Sequence, residues 1–133
     1  MSAIQTNNKL FPVFLKLENL EVLVVGGGAI AHEKLTAILN NSPETKIKVV
    51  GERINYEIKE LVSGYDTIEL KERKYEKADL QNADLVISAV GDLTLSKQIT
   101  KDANEARILI NAADKPDLCD FYLGSIVQKG DLK

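Results

Sequence analysis

The feature that most constrains the fold is a run of three glycines, Gly26-Gly27-Gly28, set between two strongly patterned segments. Before it, Leu20 to Val25 is a compact apolar run rich in Val and Leu, the composition of a strand buried on both faces. After it, Ala29 to Leu39 carries apolar residues at Ile30, Ala31, Leu35, Ile38 and Leu39, which is a helical spacing. Asn40-Asn41-Ser42-Pro43 ends that helix, and Ile47 to Val50 supplies the next short strand. The unit is strand, glycine turn, helix, strand, within about 30 residues.

The alternation continues. Ile54, Ile58, Leu61 and Val62 outline a helix, and Thr67 to Leu70 a strand. A helical turn near Ala78 to Asn82 leads into Leu85 to Ala89, another buried strand. Leu93 to Ala106 reads as a helix with Leu95, Ile99 and Ala103 on one face and Thr94 as its cap, followed by a strand at Ile108-Leu109-Ile110. The apolar stretch Phe121 to Val127 comes after a polar loop. This rhythm predicts an α/β chain with a doubly wound parallel sheet of the Rossmann type, helices covering both faces.

Within that frame Gly26-Gly27-Gly28-Ala29-Ile30-Ala31 fits G-x-G-x-x-[G/A]. The first glycine makes the turn out of the strand, the next motif glycine lets a pyrophosphate approach the backbone, and Ala31 lets helix and strand pack closely. The helix N-terminus then offers free N–H groups and partial positive charge to phosphate. Gly26, Gly27, Gly28, Ala29 and Ile30 are therefore cofactor-binding candidates. A second test is an acid at the end of the second strand, where a carboxylate binds the ribose hydroxyls of NAD. Glu52 stands there, but Arg53 is adjacent and could meet a 2′-phosphate instead. NAD is the favoured cofactor, with a solvated loop acid as the plain alternative for Glu52.

Ligands of open α/β sheets bind outside the carboxyl ends of the strands. Ser88, Ala89 and Val90 leave one such end and Asn111 through Asp114 the next, so Ser88, Ala89, Val90 and Asn111 join the cofactor candidates. Asp114 at such an end could serve as a general base, although from position alone a plain loop or turn acid is the better reading. His32, the single histidine, falls in the first turns of the glycine-loop helix, where an ordinary helix position is the simpler reading. Cys119 has no neighbouring His or second Cys, so neither a protein metal site nor a nucleophile is expected. Lys71, Arg73, Lys74 and Lys77 form a basic cluster that reads as solvated surface, with attraction of a polyanionic substrate as the alternative.

Composition narrows the classes. A formal net charge of -3 gives no global basic footprint, so nucleic acid is not an expected partner. No apolar run approaches the length of a membrane span, and a single cysteine suits a reducing cytoplasm.

The residues resemble a specific family, the precorrin-2 dehydrogenases that form the N-terminal module of siroheme synthases. Leu10-Phe11-Pro12-Val13-Phe14-Leu15 is similar to the family's entry segment, and Val22 to Ala31 with Lys34 to its cofactor loop. Glu72-Arg73-Lys74-Tyr75 and Ala83 to Ala89 resemble its middle segments. Asn111-Ala112-Ala113-Asp114 through Leu118-Cys119-Asp120-Phe121, with Ser125-Ile126-Val127 after it, is the most specific part. Ala112-Ala113 stands where bulkier apolar residues are usual, and Gly124 where proline is common. The resemblance implies NAD-dependent oxidation of precorrin-2 to sirohydrochlorin on the route to siroheme, with Asp114 as the catalytic residue. Some members also insert ferrous iron into sirohydrochlorin, which makes iron a second candidate substrate and requires no protein metal cage. The resemblance further implies a homodimer. The expected organisation is an NAD-binding Rossmann domain over residues 1–115 and the start of a dimerisation segment over 116–133. Lys129-Gly130-Asp131-Leu132-Lys133 reads as a hairpin beginning its return strand, so further chain is expected beyond it. The competing function is a regulatory NAD-sensing domain without chemistry, because this fold alone does not fix a reaction.

Overall fold

A computed structural model of the chain describes residues 9–113 and 115–123. Along them run β1 (Glu21–Val25), α1 (Ala29–Asn41), β2 (Lys46–Gly51), α2 (Tyr56–Val62), β3 (Ile68–Glu72), β4 (Leu85–Ser88), α3 (Leu93–Glu105) and β5 (Leu109–Ala112). Short 3-10 turns stand at Leu17–Asn19, Lys77–Leu80 and Pro116–Leu118. The strands form one sheet in the order β3-β2-β1-β4-β5, every neighbouring pair parallel. The order reverses between β1 and β4, leaving a crevice at the carboxyl ends of those strands, the place where such sheets bind ligands.

Alternate residues of β1, β2 and β4 feed two cores, one on each side of the sheet. Val22, Val24, Ile47, Val49, Leu85 and Ile87 pack with Ala31, Leu35 and Ile38 of α1 and with Ile58 and Val62 of α2. Leu23, Val25, Val50, Val86 and Ile110 pack on the other face with Leu80 and with Ile99 and Ala103 of α3. Valine and isoleucine suit both faces because a parallel strand covered by helices has no solvated side. The expected doubly wound architecture is thereby realised.

The element boundaries carry three corrections. Asp92, not Thr94, caps α3: its Oδ1 accepts the Thr94 N–H at 2.9 Å, because the carboxylate two residues earlier already occupies the capping position. Ile108 lies outside β5. It belongs to the end of α3, where Arg107 turns left-handed at φ 59° and the N–H groups of Arg107 and Ile108 bond to the carbonyls of Asn104 and Ala103. The strand consequently runs on to Ala112, with Asn111 opposite Ile87 and Ala112 opposite Ser88, so Asn111 sits inside the ladder rather than in the loop after it. The reading of Lys129 to Lys133 as a hairpin, and most of the apolar stretch ending at Val127, lie outside the described residues.

Candidate dinucleotide crevice

Each of the three glycines has a different physical reason to be there. Gly26 follows β1 at φ +132°, and a Cβ on it would overlap the Ala89 carbonyl at the end of β4. Its N–H bonds to Val50 O at 2.8 Å, so the turn is pinned to β2 as well. Gly27 would drive a Cβ into the backbone of Arg53 and Ile54, and its carbonyl accepts the Asn55 N–H at 2.8 Å. Gly28 is different. It has an ordinary negative φ of -107°, and a Cβ there would meet no heavy atom within 4 Å. The fold itself therefore leaves the space over Gly28 free, as an approaching pyrophosphate requires. Gly28 also caps α1 without a side-chain hydrogen bond, and the first turn, Ala29-Ile30-Ala31, carries no acid. The positive end of α1 thus faces the crevice uncompensated, whereas α2 and α3 have capping side chains from Asn55 and Asp92. The fully buried Ala31 closes the motif against the sheet, where a larger side chain would part helix from strand. These features fit a dinucleotide pyrophosphate.

The β2 end of the crevice is a short loop held from two sides. Glu52 and Arg53 are exposed, and neither side chain has a hydrogen-bond or ion-pair partner among the described residues. Behind them, Glu72 at the end of β3 accepts the Ile54 N–H at 2.8 Å with Oε2 and the Lys59 ammonium at 3.3 Å with Oε1. The Ile54 N–H and then Lys59 hold the Glu72 carboxyl below its ordinary range. In front, Asn55 bonds to the glycine turn and caps α2 by accepting the Ile58 N–H at 2.9 Å.

On the opposite side of the switch point, Ser88 is fully buried, its hydroxyl 3.4 Å from that of Ser96 on α3. The Ala89 N–H continues the ladder to Val25 O at 2.7 Å. Val90 is half-buried, and its carbonyl accepts the Lys115 ammonium at 3.1 Å. Asn111 is buried, with Nδ2 donating to Phe121 O at 3.0 Å and Oδ1 without a hydrogen-bond partner among the described residues. Cys119 Sγ sits 3.2 Å from both Ala112 N and Ala112 O, and Asp120 bonds through N and Oδ2 to Ile110, so residues 119–121 line the outer edge of β5. Asp114 lies outside the described residues.

The crevice thus gathers Gly26, Gly27, Gly28, Ala29 and Ile30 with Ala89 and, across the turn, the loop of Glu52. Asn111 is instead engaged with the segment that covers β5. The basic cluster lies at the surface as expected, with Lys74 and Lys77 exposed and Lys71 and Arg73 half-buried, and the structure adds that most of its charge is paired within the domain. Arg73 is bound bidentately to the buried Asp79 at 2.6 and 3.0 Å, Lys71 pairs with Glu69 at 3.6 Å, and Lys77 with Glu105 at 2.9 Å. These charges are spent inside the domain, because acids remote or alternate in sequence fold against them. Lys74 alone of the four lacks an ion pair among the described residues. His32 is half-buried on α1, its carbonyl receiving the Thr36 hydroxyl. Sequence reasoning missed Asn55, Glu72 and Lys115; only Asn55, a cap residue just before a helix, left a local signal.

Sheet order, glycine turn and open helix end together define a nucleotide-binding domain of the Rossmann class. The chain belongs to the family described as "Putative NAD(P)-binding", whose model matches residues 13–125. It is 38% identical over 122 residues to a siroheme synthase of Psychrobacter arcticus and 35% identical over 124 residues to one of Pseudomonas fluorescens. Those alignments take in 92% and 93% of this chain but 22% and 26% of the relatives, so the chain spans about a quarter of their length. Among solved structures it is similar to SirC, a precorrin-2 dehydrogenase, with a TM-score of 0.76 and 26% identity over 92% of this chain and 59% of that one.

Proposed function

We propose that this chain is the dinucleotide-binding part of an NAD-dependent precorrin-2 dehydrogenase, oxidising precorrin-2 to sirohydrochlorin for siroheme formation. The observation that carries the reading is the similarity of the whole described fold to a precorrin-2 dehydrogenase, with the free space over Gly28 placed at the switch point. Gly26, Gly27, Gly28, Ala29 and Ile30 bind the pyrophosphate, Glu52 takes the adenosine ribose, and Ala89 and Val90 flank the nicotinamide side, with the buried Ser88 and Asn111 supporting the two strand ends from behind. When bound, NAD supplies the two-electron acceptor. A C–H bond of the macrocycle breaks with its electron pair leaving as hydride, and the Asp114 carboxylate takes the proton that the new double bond releases. Residues 116–133 begin the segment through which two copies pair, and the enzyme works in the cytoplasm. Ferrous iron is a candidate second substrate, its insertion displacing protons that the same carboxylate can accept.

The test uses the full-length native protein with precorrin-2 and NAD, following NADH absorbance. Turnover is expected, with Asp114→Ala abolishing it while NAD binding persists. Normal turnover by Asp114→Ala removes that residue from the mechanism. Binding of NAD without any reaction of the wild-type protein would favour a sensing domain instead. Formation of siroheme from sirohydrochlorin and ferrous iron decides the iron reaction separately.

A further inference from the structure

We propose that Glu72 is a positioning residue for dinucleotide selection, its carboxylate fixing the loop that presents Glu52 and Arg53 to the adenosine ribose. The inference rests on the ribose assignment made above. Two neighbouring side chains of opposite sign stand at this loop: the acid favours free ribose hydroxyls, and the guanidinium favours a 2′-phosphate. Both are exposed and unpaired among the described residues, so their own contacts do not decide which one serves. The backbone does. Glu72 receives the Ile54 N–H at 2.8 Å, directly after Arg53, while the Asn55 N–H is tied to Gly27 O at 2.8 Å. The Arg53 carbonyl is packed against Gly27 so closely that no Cβ fits between them. The loop is therefore anchored to the glycine turn on one side and to β3 on the other, with Lys59 at 3.3 Å balancing the charge of Glu72. Glu72 reaches no cofactor atom in this scheme. It acts through the loop, and without it the Ile54 N–H loses its acceptor and residues 52–54 gain freedom to exchange Glu52 for Arg53.

The chain itself is titrated with NAD and with NADP by calorimetry, and its melting temperature is taken without ligand. Glu72→Ala is expected to raise the Kd for NAD about fivefold, in line with the loss of one charge-assisted hydrogen bond partly open to water. The Kd for NADP is expected to stay level or fall, so the NAD preference narrows. Glu72→Gln keeps an acceptor for Ile54 and is expected to retain the preference. A merely structural role would raise both Kd values in proportion, and that result, or no change in either, overturns the proposal. Glu72→Asp withdraws the acceptor while keeping the charge and gives the same reading if the alanine variant does not fold. Glu52→Ala separates the two levels. If it leaves the wild-type preference intact, the ribose assignment fails and this inference with it. If it narrows the preference while Glu72→Ala and Glu72→Asp do not, only the role of Glu72 is refuted.

Discussion

The Ala89 carbonyl occupies the space that a side chain on Gly26 would need, and Gly26 sits at φ +132°. The end of β4 is thereby seated directly on the turn out of β1, and the two strands that flank the crevice are locked in register. Gly28, two residues on, has neither constraint. Gly26→Ala is expected to cost about 3 kcal/mol through backbone strain and overlap. Gly28→Ala is expected to cost at most about 1 kcal/mol, the loss of a good cap residue, while weakening NAD binding at least about tenfold. Thermal melting and calorimetric titration of the two variants check the contrast. Equal loss of stability, or undiminished NAD affinity in Gly28→Ala, would contradict it.

Arg107 adopts φ 59° at the end of α3, closing that helix as a glycine ordinarily does. Arg107→Gly is expected to stabilise the domain by about 1 kcal/mol, because glycine enters this region without a Cβ penalty. The melting temperature should rise by about 4 °C.

Asp79 is buried, and burial alone would raise its carboxyl. The Arg73 fork, the Glu76 N–H and Lys48 outweigh burial and hold it below its ordinary 3.8. A carboxyl depressed in the folded state contributes stability that is present above the ordinary value and lost as pH falls through the folded one. Arg73→Ala is expected to cost about 2 kcal/mol at neutral pH by leaving a buried carboxylate short of donors. That cost should shrink as pH falls below the ordinary value, because the wild type loses the same stabilisation when Asp79 is protonated; urea unfolding of both proteins at neutral and acid pH checks the convergence.

The Tyr75 phenol donates to Asp102 Oδ2 at 2.8 Å, and burial, then that bond and the Asp102 charge, push its pKa upward. A group with a raised folded pKa gives stability that is complete below its unfolded value and lost as pH rises through the folded value. For Tyr75 the loss begins near the ordinary value of 10.0. Tyr75→Phe is expected to cost about 1 kcal/mol at neutral pH, since among the described residues the Asp102 carboxylate then keeps only the Gln98 amide at 2.9 Å. It should also flatten the alkaline limb of the stability curve, measured by urea unfolding above and below that pH.

Much of this was legible in the chain itself. The strand, glycine turn and helix around residues 20–41 are local patterns, and each element's period depends only on residues a few positions apart. The parallel, doubly wound character of the sheet followed from the alternation, because parallel neighbours require crossover helices, while the strand order β3-β2-β1-β4-β5 is read from the tertiary structure. Thr94 was misread as a cap and Ile108 as strand because both lie within two residues of the true boundary, where Asp92 and the left-handed Arg107 decide the matter.

The amino-acid sequence by itself determined the βαβ core, the glycine turn and the open helix end that face a pyrophosphate. It did so because propensity, apolar period and backbone freedom act over single turns and strands. Only the tertiary structure decided why Gly26 and Gly27 admit no side chain, which acids neutralise Arg73 and Lys77, and what holds the loop of Glu52. Those answers lie in partners such as Ala89, Asp79, Glu105 and Glu72. Glu72 and Ile54 are 18 positions apart and Lys77 and Glu105 are 28 apart, separations that no local pattern spans and that folding of the sheet brings to hydrogen-bonding distance.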